Sequence, residues 1–163
     1  MASTANLLHR LRGFVKQEAE TQLSALERQW SKPLSERVAK GWAIEGLHLG
    51  KVNNNFIRLA CYTNDSRFRE GDLLLLHRGN PRESNSLHVE LQYDGERELE
   101  FSLIRGNTYF LNAKPEDWIA DQDWFDSSPY YLNALDEVAD SLRGRATILP
   151  LLQGSLIPKI DYA

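Results

Sequence analysis

Between residues 4 and 30 the apolar side chains Leu8, Leu11, Val15, Ala19, Leu23, Leu26 and Trp30 recur three or four positions apart. Residues so spaced share one face of an α-helix, and no other regular structure gives them a common side. At 1.5 Å per residue the helix reaches about 40 Å, longer than a core of this size requires, so it is expected to act as a stalk. Ser3 or Thr4 can cap it, and Gly13 inside it costs about 1 kcal/mol, enough for a kink or a frayed first turn. Lys32-Pro33 ends it, because the residue before a proline is pushed out of the α region. Pro33 opens a second, short helix, with Gly41 as its left-handed stop.

From Trp42 onward the apolar period changes to two, which predicts strands near 42–49, 56–62, 72–78, 86–93, 97–104 and 108–111. Asp94-Gly95 marks a hairpin. A two-residue loop would set Leu91 opposite Glu98 and mix apolar with acidic residues on one face, so an odd loop is required. A three-residue loop Tyr93-Asp94-Gly95 pairs Val89 with Leu99 and Leu87 with Phe101, with Gly95 in a left-handed bulge position. Six short antiparallel strands without intervening helices predict a small β-barrel, OB-like, in an α+β fold. An acidic, aromatic link then runs from Glu116-Asp117-Trp118 to Trp124-Phe125-Asp126. Ser128-Pro129 opens a C-terminal helix whose stripe is Leu132, Leu135, Val138 and Leu142, closed by Gly144; the apolar stretch Thr147 to Leu152 is interrupted by Pro150. The expected organisation is a helical stalk and elbow over 1–41, a small β-barrel over 42–112, and the acidic link with C-terminal helices over 113–163.

The chain of 163 residues buries about 70% of its unfolded surface, enough for one core without staples. A lone Cys61 forms no intrachain disulfide and fits a reducing compartment. The alternation places it inward beside Ile57 and Leu59, as a small hydrophobe and not a nucleophile. No apolar run is long enough for a signal peptide or a membrane span, so a cytoplasmic protein without a membrane partner is expected. The sequence contains neither a phosphate-binding loop nor a dinucleotide glycine motif. His9, His48, His77 and His88 are dispersed, and the acidic link lacks calcium-loop spacing and its glycine. No catalytic group, metal or cofactor is therefore expected, and Glu116, Asp117, Asp121, Asp123 and Asp126 read as a solvated or partner-facing loop.

Charge divides unevenly: residues 1–82 carry 13 Lys and Arg against 8 Asp and Glu, net +5, and residues 83–163 carry 6 against 15, net −9. In the basic half, Phe56, Arg58 and Tyr62 share the strand face opposite Ile57 and Leu59. Arg67, Phe68 and Arg69 follow in a loop, and Lys51, Arg78 and Arg82 come from neighbouring loops and strand ends. Rings that stack on bases among cations that follow phosphates suit a single-stranded nucleic acid. The expected contacts are Lys51, Arg58, Arg67, Arg69, Arg78 and Arg82, with Phe56, Tyr62 and Phe68 as stacking groups. The later hairpin's outer face, with Glu90, Glu98 and Glu100, repels phosphate, so the groove should avoid it.

A long Gln/Glu/Leu-rich helix, an elbow ending in Gly41, a barrel with the turn Phe68-Arg69-Glu70-Gly71-Asp72 entering Leu73 to Leu76, and a helical exit resemble the N-terminal region of superfamily 1 helicases of the nonsense-mediated-decay and immunoglobulin-mu-binding type. The layout covers most of the chain; by residues the likeness is carried by the Phe-x-x-Gly-Asp turn and the stalk. The resemblance implies a non-catalytic accessory domain that binds or regulates access to single-stranded nucleic acid beside an ATPase core, in the same polypeptide or a partner. The ending at Ile160-Asp161-Tyr162-Ala163, without a closing element, fits a piece of a longer protein. The alternative is a protein-interaction or oligomerisation module that uses the exposed stripe of the long helix.

Overall fold

The stripe at the start of the sequence forms helix α1, Thr4–Ser31, which passes through Gly13 without a break. The computed structural model describes residues 4–152 and 154; Ser3, one of the capping candidates, and the ending Ile160 to Ala163 lie outside them. Two units divide the chain, one formed by residues 1–23 and 126–163 and the other by 24–125. In the helical unit Leu7 is buried and Leu8, Leu11 and Val15 are half-buried. Its other described elements are α4 (Ser128–Asp140), one π-helical turn (Gly144–Ile148) and α5 (Leu149–Leu152). The start of α4 differs from expectation: the Asp126 carboxylate, not Ser128, accepts a terminal N–H, that of Ser128 at 2.9 Å. The Ser128 hydroxyl, together with that backbone bond, holds the Asp126 carboxyl below its usual range. Gly144 is buried, and a Cβ there would collide with the Val138 carbonyl, so it serves close approach and not a helix stop.

The second unit begins with the last turns of α1 and the short helix α2, Leu34–Ala39. Gly41, at φ +83°, ends α2, its N–H donating to the Val38 carbonyl at 3.0 Å. A Cβ here would meet Arg67 Cγ at 2.9 Å, so both the backbone and the packing demand glycine. The strands are β1 (Ala43–Asn53), β2 (Phe56–Ala60), β3 (Leu73–His77), β4 (Leu87–Asp94), β5 (Glu98–Arg105) and β6 (Trp118–Gln122). They pair in the order β1-β2-β5-β4-β3-β6 and close into an antiparallel barrel. Closure depends on β1, which pairs with β6 up to Leu47 and with β2 from His48 onward. Its register shifts between Ile44 and Leu47, around Gly46 at φ +69°, and again between Leu49 and Lys51, around Gly50. Such bulges bend a strand sharply enough to serve two sides of a barrel.

Two expected elements are corrected. Residues 108–111 are not a strand: Gly106 at φ +128° ends β5, Asn107 Oδ1 accepts the Tyr109 N–H at 2.9 Å, and helix α3 (Tyr109–Ala113) follows. The helix inserts Leu111 into the core, which a strand leaving the sheet would not do. The sixth strand comes instead from the segment read as an acidic link, where Trp118, Ile119, Ala120 and Asp121 are all buried. The β4–β5 hairpin also sits in a different register. Leu91 faces Phe101 and Val89 faces Leu103, while the tip pairs Asp94 with Leu99. The expected odd loop is not formed: an even loop lies between the paired Asp94 and Leu99, and a bulge between Leu91 and Tyr93 returns the apolar residues to one face. Gly95 is not left-handed; it is needed because a Cβ would lie 2.6 Å from the Glu98 carbonyl. The core inside the barrel comprises, among others, Leu47, Ile57, Leu59, Leu74, Leu76, Leu91, Phe101 and Trp118. Among the described residues no helix is long and apolar enough to cross a membrane.

Candidate functional site

Strand β2 pairs with β5, and Arg58 stands directly opposite Glu100. Its guanidinium bonds Glu98 and Glu100, each at 2.9 Å, and lies 5.5 Å from the Phe56 ring centre. The expectation that the cationic face would keep clear of the glutamate hairpin is therefore corrected: in a closed barrel the two are adjacent strands. Arg58 is ion-paired, Phe56 is half-buried beneath it, and Lys51, opposite Arg58 on β1, is exposed.

Phe68 is also reassigned. It is 3% exposed and belongs to the core, so its face is closed to a base. The turn that buries it presents Arg67 and Arg69 to solvent on either side. Asp72 closes the turn by accepting the Arg69 backbone N–H at 2.9 Å, and Gly71 adopts φ +94° as its N–H reaches the Leu91 carbonyl. Arg67 donates to the Lys40 carbonyl at 3.0 Å and stacks over Trp42, 5.8 Å from the ring centre. Trp42, Arg67, Arg69, Leu73, Trp124 and Phe125 line one open cleft at this end of the barrel. Two carboxylates border it, but Asp72 is engaged by the turn, and Asp123 is bonded to His88 Nδ1 at 2.6 Å. Neither Arg67 nor Arg69 has a carboxylate partner among the described residues. A ligand in the cleft meets three aromatic side chains and two arginines that no carboxylate pairs among the described residues, with the Asp72 and Asp123 carboxylates on its border.

The remaining expected contacts lie elsewhere. Tyr62, 80% exposed, leans against the His48 ring at 5.9 Å and shares a shallow depression with Arg78, Glu45 and Asp117. Arg78 donates to the Glu116 carbonyl at 3.2 Å, and Arg82 faces Glu27 at 3.8 Å. The nine residues thus fall into separate localities, of which Arg67, Arg69 and the nearly buried Phe68 between them border the aromatic cleft. Sequence reading missed Trp42 as a wall and gave Trp124 and Phe125, in the acidic, aromatic link, no binding role. No spacing in the sequence links the three to the Phe-Arg-Glu-Gly-Asp turn; the closed barrel brings them together.

Strand β6 is held by a buried polar network that the sequence did not disclose. Arg37 of α2 makes a forked ion pair with Asp121, at 2.8 Å from Nε and 3.1 Å from Nη2. Its Nη1 reaches the Trp30 carbonyl at 3.1 Å and also the Lys32 carbonyl. His77 Nε2 meets the second oxygen of Asp121 at 2.6 Å, and His77 Nδ1 accepts the Gly79 N–H at 3.1 Å. Since Nδ1 accepts, the ring proton sits on Nε2 and is donated to the carboxylate. Both ring nitrogens are occupied, so the triad braces the barrel wall and presents no base to a substrate. The second pair runs the other way: Arg105 donates to His88 Nε2 at 2.9 Å, so His88 donates from Nδ1 to Asp123. Trp30 Nε1 adds a bond to the Gln122 carbonyl at 2.9 Å, so the same short strand anchors the helical elbow and leads into the cleft wall at Trp124.

Cys61 is buried as the alternation predicts, and burial, reinforced by the Asp94 carboxylate, pushes its thiol up. Among the described residues no three metal-ligating side chains converge. No family model and no curated protein matches this chain.

Proposed function

We propose that the chain is a non-catalytic accessory module of a helicase-like ATPase, and that its barrel holds single-stranded nucleic acid in the cleft of Trp42, Arg67, Arg69, Trp124 and Phe125. The observation that carries the reading is the meeting of two arginines without ion-pair partners among the described residues with three aromatic side chains in one open groove. Stacking accepts any base, and guanidinium groups track the backbone, so the site suits a strand of any sequence. The overall acidity, net −4, excludes a general polyanion coat and confines contact to the groove. In this reading α1 and the elbow serve as the mechanical connection to the motor. An oligonucleotide titrated at low salt is expected to quench tryptophan emission, and Trp124→Ala to weaken binding by about 1–3 kcal/mol, the worth of one stacked base. Absence of binding at low salt, or equal affinity of the variant, contradicts the reading.

A protein-interaction role is favoured by a separate observation: the helical unit exposes Phe14 and Leu23 on α1 and Tyr130, Tyr131 and Leu142 on the C-terminal side. Large apolar side chains left exposed in such number are candidates for an interface. If it joins two copies, light scattering reports a dimer for the wild type and a monomer for Phe14→Asp with Leu23→Asp. Leu26, which is buried, is unsuitable for that test.

A further inference from the structure

A second depression, of about 220 Å³, opens beside α3 and is bordered by Arg78, Glu83, Asn85, Phe110, Lys114 and Trp118. Its floor is chemically finished: the Trp118 N–H is donated to the Lys114 carbonyl at 2.5 Å, and the nearby His77 is bonded through both ring nitrogens. Its rim is not. The Glu83 carboxylate, the Asn85 amide and the Lys114 ammonium belong to exposed residues and have no hydrogen-bond or ion-pair partner among the described residues. Arg78 uses Nε on the Glu116 carbonyl and keeps its terminal nitrogens for another group.

The volume is below the roughly 300–1,000 Å³ of pockets that enclose a drug-sized molecule, so it admits one ring system with its substituents outside. Phe110, half-buried, offers that ring an aromatic wall. Two cations against one carboxylate call for an anionic ligand. A bare anion fails, because Glu83 would repel it; the ligand must also bring hydrogen-bond donors. Guanine presents N1–H and the 2-amino group side by side, matched to a carboxylate, with O6 as an acceptor for an amide or ammonium donor. Adenine turns an acceptor, N1, toward the same carboxylate.

We propose that this depression binds a guanine nucleotide, with the base against Phe110 and read by Glu83 and Asn85, and the phosphate held by Arg78 and Lys114. This does not rest on the cleft at the other end of the barrel. The same chemistry is carried by free guanosine monophosphate and by a terminal guanosine phosphate of a strand.

The test is calorimetric titration of the full chain with guanosine monophosphate, adenosine monophosphate and inorganic phosphate, repeated with Glu83→Gln and Lys114→Ala. Both variants alter exposed, unpaired side chains, and circular dichroism checks that they fold. Guanosine monophosphate is expected to bind about tenfold or more tightly than adenosine monophosphate, as losing a hydrogen bond to a charged group implies. Phosphate alone should bind far more weakly, Lys114→Ala should lower affinity about tenfold, and Glu83→Gln should abolish the preference for guanine. Competition by a 5′-phosphorylated oligonucleotide beginning with guanosine, and not by one beginning with adenosine, assigns the site to a strand end; no competition by either assigns it to the free nucleotide. No heat with millimolar guanosine monophosphate, phosphate binding as tightly as the nucleotide, an unchanged affinity in Lys114→Ala, or a base preference unchanged in Glu83→Gln overturns the proposal.

Discussion

Replacing Asp121 by alanine is expected to cost about 3–5 kcal/mol, the usual penalty for breaking a buried ion pair from one side. The cause is what remains. Arg37 is 4% exposed and would keep its charge opposite a cavity, and the His77 N–H would lose its acceptor. Against a total stability of about 5–15 kcal/mol, that loss unfolds much of the population near its melting temperature. Adding Arg37→Met to Asp121→Ala should recover part of the loss, because the orphaned cation is gone; the double variant should thus be more stable than the sum of the single effects implies. Urea midpoints followed by tryptophan emission measure all three. An Asp121→Ala midpoint equal to that of the wild type would show that the network carries no stability.

Phe101→Ala is expected to cost a comparable 3–5 kcal/mol, from lost transfer energy and from the cavity left at a fully buried site. Phe101 lies on β5 between Ile57 of β2 and Leu91 of β4. The register gives a further readout: in double-mutant cycles Phe101 should couple to Leu91, its cross-strand partner, more strongly than to Leu87. Coupling to Leu87 alone would restore the register expected from the hairpin sequence.

Why that register was misread is physically instructive. Alternation determines which residues of a strand face inward, and it placed Leu87, Val89, Leu91, Leu99 and Phe101 correctly in the core. It does not determine how far two strands slide past each other, since a shift by an even number of residues keeps every side chain on its face. The tip of the hairpin and a bulge decide the matter: an even loop follows Asp94, with Gly95 required for close approach, and the register shift between Leu91 and Tyr93 restores the apolar face.

Strand β6 was illegible for a different reason. Its buried Asp121 breaks the apolar pattern, and a carboxylate among acidic neighbours reads as solvated. What neutralises it comes from 84 residues earlier, at Arg37, and 44 residues earlier, at His77, and sequence spacing carries no trace of such a meeting. The same applies to the candidate site. That Phe56, Arg58 and Tyr62 alternate with an apolar face was legible; that β2 would lie against the glutamates of β5 was a property of strand order. Phe68 looked like a loop aromatic because burial of a turn residue depends on what the turn covers. Arg67 and Arg69 survive as paired candidates because they flank that buried ring and turn outward.

The arginines without ion-pair partners among the described residues lie on the Trp42–Trp124 side of the barrel, so binding there should depend on salt through them. The deciding measurement is the affinity for a single-stranded oligonucleotide as a function of salt, for the wild type and for Arg67→Glu with Arg69→Glu. Each phosphate contact contributes about 0.7 to the slope of log affinity against log salt, so losing two should flatten it by about 1.4 and weaken binding at low salt. An identical slope and affinity in the reversed variant would show that the strand, if bound, lies on another surface.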